Sequence, residues 1–197
     1  MEDVNVLMVR LRSRDPATRK RAAEQLGADS PSVLPVVVEL LDDRDGEVRH
    51  AAGVALRRVG AAARAVVPEL VQVLSSADPG VRFKAARALR KIGPQAEAAV
   101  PRLTAALSDE ASEVRHQAAL ALAAVGRPGA SAVRELSGLL TDADVDVRWA
   151  AANALGTLGP AAKKAEAALT KAAKDAHPDV RREAAEALVK VRKRARK

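Results

Sequence analysis

A Val-Arg pair returns at a fixed step of 33 residues along the chain: Val48-Arg49, Val81-Arg82, Val114-Arg115, Val147-Arg148 and Val180-Arg181. Each pair is followed by small residues and an Ala-Leu pair (Ala55-Leu56, Ala88-Leu89, Ala121-Leu122, Ala154-Leu155, Ala187-Leu188). In four of the five, a glycine closes the segment, at Gly60, Gly93, Gly126 and Gly159. A period of this length implies stacked supersecondary units, each touching only its neighbours, in place of one closed core. A stack of that kind presents extended surface and serves as a binding platform far more often than as a catalyst.

Within a unit the apolar spacing is helical. Val48, Ala52, Ala55, Leu56 and Val59 recur at steps of three and four and form one face of a helix, here termed A. Asp15, Asp45, Asp78 and Asp144 stand four residues before their arginine, where a carboxylate accepts the unpaired N–H groups of a first turn. Pro16 and Pro79 follow at a position where a missing N–H costs nothing. Ala111 and His177 depart from that cap pattern. A second helix, B, comes next: Val67-Pro68…Leu70…Leu74 returns as Val100-Pro101…Leu103…Leu107 and Val133…Leu136…Leu140, then decays to Ala167…Leu169…Ala173. Pro35, Pro68 and Pro101 are expected in the first turn of B, after a short bend. The first unit is three residues shorter than the others between Arg19 and Pro35, which predicts a tighter A–B connection there.

The expected fold is therefore all-α: a superhelical solenoid of about six units and roughly twelve helices. Val4…Leu7…Leu11 matches a B helix and forms a half-unit over 1–14. Repeats are assigned to 15–44, 45–77, 78–110, 111–143 and 144–176, and a last half-unit with a basic tail to 177–197. Open half-units at both ends suit a monomer or weak end-to-end self-association.

Several chemistries are excluded by composition. There is no cysteine, hence no disulfide, thiolate metal site or thiol nucleophile. No apolar run approaches the roughly 18 residues of a membrane span, and the start, with Glu2 and Asp3, lacks the basic and apolar segments of a signal peptide. A cytoplasmic, membrane-free protein is expected. The net charge of +8 is mostly a property of the end of the chain: residues 181–197 carry +6 and residues 1–180 only +2. Phe83 and Trp149 are the only aromatic side chains, so the core must be Leu, Val and Ile packed on Ala.

The third unit shows the whole pattern, Asp78-Pro79-Gly80-Val81-Arg82-Phe83-Lys84-Ala85-Ala86-Arg87-Ala88-Leu89-Arg90-Lys91-Ile92-Gly93, and it resembles the HEAT repeat of the short, regular subtype. That subtype occurs in phycobilin lyase subunits, in many bacterial repeat proteins and in artificial alpha-helical repeat binders. The resemblance covers nearly the whole chain. It implies a right-handed superhelix with A and B helices in two layers, one layer lining a concave groove. In the artificial binders the variable positions lie around the Val-Arg pair and along that helix. For function it implies little, because the subtype is shared by proteins with unrelated roles.

The residues point to the same surface. Positions 50, 54 and 58 step by four along helix A, opposite its apolar stripe, and vary between units while the stripe does not. The residue after the arginine is Lys20, His50, Phe83, His116, Trp149 and Arg182 in turn, so both aromatics fall at one repeat-equivalent place. Aromatic rings exposed along a groove mark binding hot spots, whereas rings that only roof aliphatic surface between A helices would be structural. One step on are Val54, Arg87, Leu120 and Asn153, and beyond them Arg58, Lys91, Ala124 and Thr157. Units two and three are thus basic and units four and five neutral to apolar, which fits a partner with acidic and apolar portions, or simply a solvated helix face.

Other candidates read as structural. Arg49, Arg82, Arg115, Arg148 and Arg181 are kept while the groove changes, which assigns them to the inter-unit interface, paired with turn aspartates such as Asp45, Asp78 and Asp144. His50 and His116 lie two units apart, roughly 20 Å at ordinary helix spacing, too far to share a metal. The histidines are followed by Ala51, Gln117 and Pro178, unlike the His-Glu pairs of iron-binding HEAT hydroxylases. No Gly-rich phosphate loop or nucleophile elbow is present, so neither catalytic residue nor metal nor cofactor is expected. The basic segment Lys190–Lys197 suits a helix C-terminus, or contact with an anionic surface.

The leading expectation is a non-catalytic scaffold that binds a protein or peptide along the A-helix groove. The alternatives are nucleic-acid binding through the basic half-groove and tail, as in HEAT-like DNA glycosylases, and a bilin-lyase-like accessory role resting on resemblance alone.

Overall fold

In the computed structural model every described element is helical, and the order follows the repeat. The structure describes residues 4–25 and 34–193, the side chains of residues 4, 5, 8, 34, 35, 42 and 56–62 excepted. The A layer comprises α2 (Pro16–Gln25), α4 (Gly46–Val59), α6 (Pro79–Ile92), α8 (Ser112–Val125), α10 (Val145–Leu158) and α12 (Pro178–Arg192). The B layer comprises α1 (Val4–Leu11), α3 (Leu34–Glu39), α5 (Val67–Val73), α7 (Val100–Ala105), α9 (Val133–Gly138) and α11 (Glu166–Ala172). The bend expected before B is a 3-10 segment, as in Gly93–Ala99 and Gly159–Ala165, with Pro68 and Pro101 in the first turn of the B helix that follows. The shortened connection of the first unit lies outside the described residues.

Each A helix starts and stops where its side chains dictate. Asp144 accepts from the N–H groups of Asp146 (2.8 Å) and Val147 (3.3 Å), and Asp45 does the same for Glu47 (2.8 Å) and Val48 (3.3 Å). The two starts without an aspartate differ from each other. Ala111 caps α8 with backbone alone, whereas the His177 Nδ1 accepts from the Asp179 N–H at 3.3 Å. Gly93, Gly126 and Gly159 end their helices with φ of 69°, 83° and 56°, a region that side chains disfavour.

Successive A helices lie directly on one another, most extensively α6 on α8, α8 on α10 and α10 on α12, while B helices meet the next unit chiefly through the 3-10 segments. Small residues permit that approach: Ala118, Ala119, Ala151 and Ala152 are fully buried, and a Cβ at Gly156 would stand 3.0 Å from the Cα of Ala187. The interior is a continuous aliphatic seam running through the stack, from Leu7 and Leu11 through Leu103 and Leu136 to Leu169 and Leu188.

Gly129 shows how tight the fit is. Its unit shifts the proline by one place, and a Cβ there would lie 2.2 Å from the carbonyl oxygen of Leu122. The equivalent positions in other units hold the buried Ala96 and Ala162. Gly129→Ala is expected to destabilise the protein by about 1–3 kcal/mol through overpacking. Gly138→Ala, at a helical site with nothing in its way, is expected to stabilise it by about 0.5–1 kcal/mol. Denaturant melts of the two variants check the opposite signs.

Arg19, Arg82, Arg115 and Arg148 tie one A helix to the next, with one correction to the expected partners. Asp45 and Asp144 cap their own helices, as Asp78 does for Gly80 N–H (2.8 Å); the carboxylate that receives the arginine stands two residues before the cap position, in the turn that leads into the next A helix. Arg115 donates from Nε and Nη2 to Asp142 at 2.9 and 2.8 Å, and from Nη1 to the carbonyls of Asp109 and Glu110 at 2.9 and 3.1 Å. The same fork joins Arg82 to Asp109, Arg148 to Asp175 and Arg19 to Asp43. Each carboxylate also closes its own turn, as Asp142 does by accepting from Asp144 N–H at 2.9 Å. The cap position is already engaged by its own helix N-terminus, which leaves the earlier aspartate to face the neighbouring unit.

These bonds shift the acids. The hydrogen bond from Arg19 holds Asp43, and that from Arg148 holds Asp175, below the usual carboxylate range. Burial pushes Asp142 up, but the bonds from Arg115 and from its own turn outweigh it and the net direction is down. Arg115→Ala is expected to cost about 1.5–3 kcal/mol, the worth of charge-assisted bonds in a partly buried site. Arg181→Ala should cost much less, since its Nη1 meets only the carbonyls of Asp175 and Ala176 and the side chain is exposed. Because the folded aspartates sit below their unfolded value of about 3.9, their stabilisation is complete above that pH and is lost as pH falls through the folded values. An acid titration of the melting temperature should therefore fall below about pH 4, less steeply in Asp142→Asn.

Candidate binding face of the A helices

The residues after the arginine project from the A layer, and their exposure changes along it. His50 and Arg182 are exposed; Phe83, His116 and Trp149 are half-buried, with Phe83 and Trp149 packed against the core at their inner edges. The rings therefore roof aliphatic surface and present an outer edge as well. Both properties follow from one cause: a large ring between closely spaced helices is squeezed from two sides but not covered.

His116 and Trp149 come together across α8 and α10, ring centroids 6.5 Å apart and planes inclined by 30°, a stacked arrangement. The imidazole is flanked by the Gln117 amide, whose Nε2 lies 3.2 Å from Nδ1. Burial pulls the His116 pKa below its ordinary value, Arg90 pushes the same way, and Asp146 and Asp144 oppose both. Arg90 is itself half-buried and lowered, first by burial and then by Arg87. The stacked pair thus lies between the cations of the third unit and the carboxylates at the start of the fifth.

The remaining expected residues divide. Val54, Arg87, Lys91 and Leu120 are half-buried along the same face, with the Lys91 methylenes lying where a Cβ on Gly53 would stand. Asn153 is turned to an internal partner: its Nδ2 donates to the Oε1 of the buried Glu183 at 3.0 Å. Arg182 pairs with Asp179 at 2.9 Å. The Arg58 side chain and the last four residues of the basic tail lie outside the described residues; within α12, Arg192 pairs with Glu166 at 2.8 Å. Glu183 was not legible from the repeat, since its position holds Ala51, Lys84, Gln117 and Ala150 in the other units. Among the described residues no group of three or more acids and histidines is arranged to hold a metal, and no helix is long and apolar enough to cross a membrane.

The sequence profile described as HEAT repeats matches residues 4–67, 67–136 and 133–196. The chain belongs to the HEAT-repeat family. Among solved structures, this HEAT-repeat chain is similar to an engineered protein at 31% identity, with 97% of each chain covered and a TM-score of 0.60. It is also similar to a designed armadillo repeat protein in complex with the peptide (KR)4, at 22% identity over 96% of this chain and all of the other, TM-score 0.63. A third likeness is to the CpcE–CpcF complex of phycocyanin lyase from Nostoc, at 23% identity over 93% of this chain and 75% of that one, TM-score 0.53. The last two show a shared fold. No curated protein matches the chain.

Trp149 is the sole tryptophan, so its emission reports on this face alone. With the folded His116 pKa below 6.5, the imidazole is neutral at pH 7, and the stability it leaves intact above that value is lost as pH falls through the folded pKa. A fluorescence titration should show Trp149 quenched with a midpoint below 6.5, and His116→Gln should remove the transition.

Proposed function

We propose that this HEAT-repeat chain is a non-catalytic scaffold that binds an extended protein segment along the outer face of its A helices. One observation carries the reading: both aromatics of the chain, with His116, stand at the same repeat position, half-exposed on the layer whose helices pack most closely. We take the A face as the concave one and the whole as a right-handed superhelix of about twelve helices, as the repeat subtype implies.

The segment that suits this face is acidic at one end and apolar at the other. Arg87, Lys91, Arg90 and Arg58 would meet carboxylates in the second and third units, while Phe83, Leu120 and the His116–Trp149 pair would hold apolar side chains. The designed armadillo protein with its (KR)4 peptide is a precedent for peptide capture on this fold; here the charge of the ligand would be reversed.

Titration with a peptide joining a Glu/Asp-rich half to a Leu/Trp-rich half, in that order and in the reverse, tests this directly, with the peptide fluorophore read by anisotropy. One orientation should bind better, and Phe83→Ala with Trp149→Ala should weaken it by about 1–3 kcal/mol, roughly 5- to 150-fold, as expected for hot-spot aromatics. Equal binding by the double variant would remove the groove assignment. Retention of duplex DNA or RNA that falls steeply with salt, without peptide binding, would favour the nucleic-acid reading.

A further inference from the structure

The junction between the second and third units is built differently from its siblings in three respects. The first is the clamp. Its acceptor position holds Asp43, Asp109, Asp142 and Asp175, but Ser76 in this one place. Ser76 keeps the turn, its Oγ accepting from Asp78 N–H at 3.2 Å, yet it offers Arg49 no carboxylate. The Nη1 of Arg49 meets the carbonyls of Asp43 and Arg44 in the turn before its own helix, at 2.7 and 3.0 Å. Ser13 is the other serine at this place, and no A helix precedes it among the described residues.

The second difference is packing. Among the described residues, α4 and α6 touch less than α6 and α8 or α8 and α10. Val48, Val114, Val147 and Val180 are fully buried, whereas Val81 is only half-buried; Lys84 is exposed where Gln117, Ala150 and Glu183 are buried. Both stripped residues lie in the N-terminal half of α6. Further along, the Lys91 side chain reaches across to α4, where a Cβ on Gly53 would stand 3.3 Å from its Cδ.

The third is the space itself. An open cavity of about 370 Å³ lies between α3, α5 and α6, lined by the apolar Val38, Leu41, Leu70, Val73 and Val81 and by the charged Glu39, Glu69, Lys84 and Arg87. Close packing is the norm between neighbouring elements, and these three are not closed against one another.

We propose that this junction is the hinge of the solenoid. The units before α6 and those from α6 onward pivot about the Gly53–Lys91 contact, and the cavity is the open position of that motion. Elsewhere the Arg–Asp fork fixes the angle between successive units; here the substitution to Ser76 releases it. His50 and Val54 lie on one side of the pivot and Phe83 and Arg87 on the other, so closure changes the spacing of side chains along the A face.

Absence of cysteine allows paired spin labels to be placed cleanly. E47C with E113C spans two junctions including the hinge, and E113C with D179C spans two that are both clamped, at repeat-equivalent exposed sites. The distance distribution of the first pair should be broader than that of the second. Ser76→Asp should remove the excess width, and adding Arg49→Ala should restore it; Asp142→Ser should broaden the second pair. Equal widths in the unsubstituted protein, or no narrowing by Ser76→Asp, would overturn the hinge.

Discussion

The fork from Arg19, Arg82, Arg115 and Arg148 to the aspartate of the turn before the next A helix is the constraint on which the stack depends. A guanidinium has five N–H donors in a fixed plane, and here they are divided between two units: Nη1 holds the carbonyls of its own turn, while Nε and Nη2 reach forward to the carboxylate. That carboxylate in turn closes the following turn. Each unit's helix start is thus tied to the geometry of its neighbour. A lysine would supply a point charge and lose the angular information.

With the inter-unit angle set in this way, alanine-lined A helices come close enough for their backbones to pack almost directly. Leu89, Leu122 and Leu155 of the A helices are fully buried, whereas Phe83, Leu120 and Trp149 lie at the outer edge of the layer, where they are half-covered. The candidate binding face is therefore a by-product of the same crowding that stabilises the stack. Variation along it is cheap, because these positions contribute only their inner edges to the core.

Much of this was legible in the sequence because the period is strict. Helix faces, N-caps at Asp45, Asp78 and Asp144 and the bends before Pro68 and Pro101 follow from spacing alone, and the structure carries them. The clamp partner was not found, although Asp43, Asp109, Asp142 and Asp175 keep the same 33-residue step. Two aspartates stand near each turn, and composition does not say which one caps the helix and which faces the neighbour. Glu183, paired with Asn153, obeys no period and could be seen only once α10 and α12 were side by side. Ser76 was invisible for a related reason: a missing carboxylate has meaning only after its siblings' role is known.

Every described fork from Arg82 onward spans 27 residues, so the ties that order the stack are all local in the chain. A molecule assembled from such ties behaves as a row of coupled units, with cooperativity only as strong as its weakest coupling. Three successive forks bind the units from α6 to α12 into one block, and the serine at position 76 leaves that block without a fork to the units before it. Folding can then begin within the C-terminal block at little loop-closure cost and spread toward the N-terminus across a boundary that the sequence itself marks.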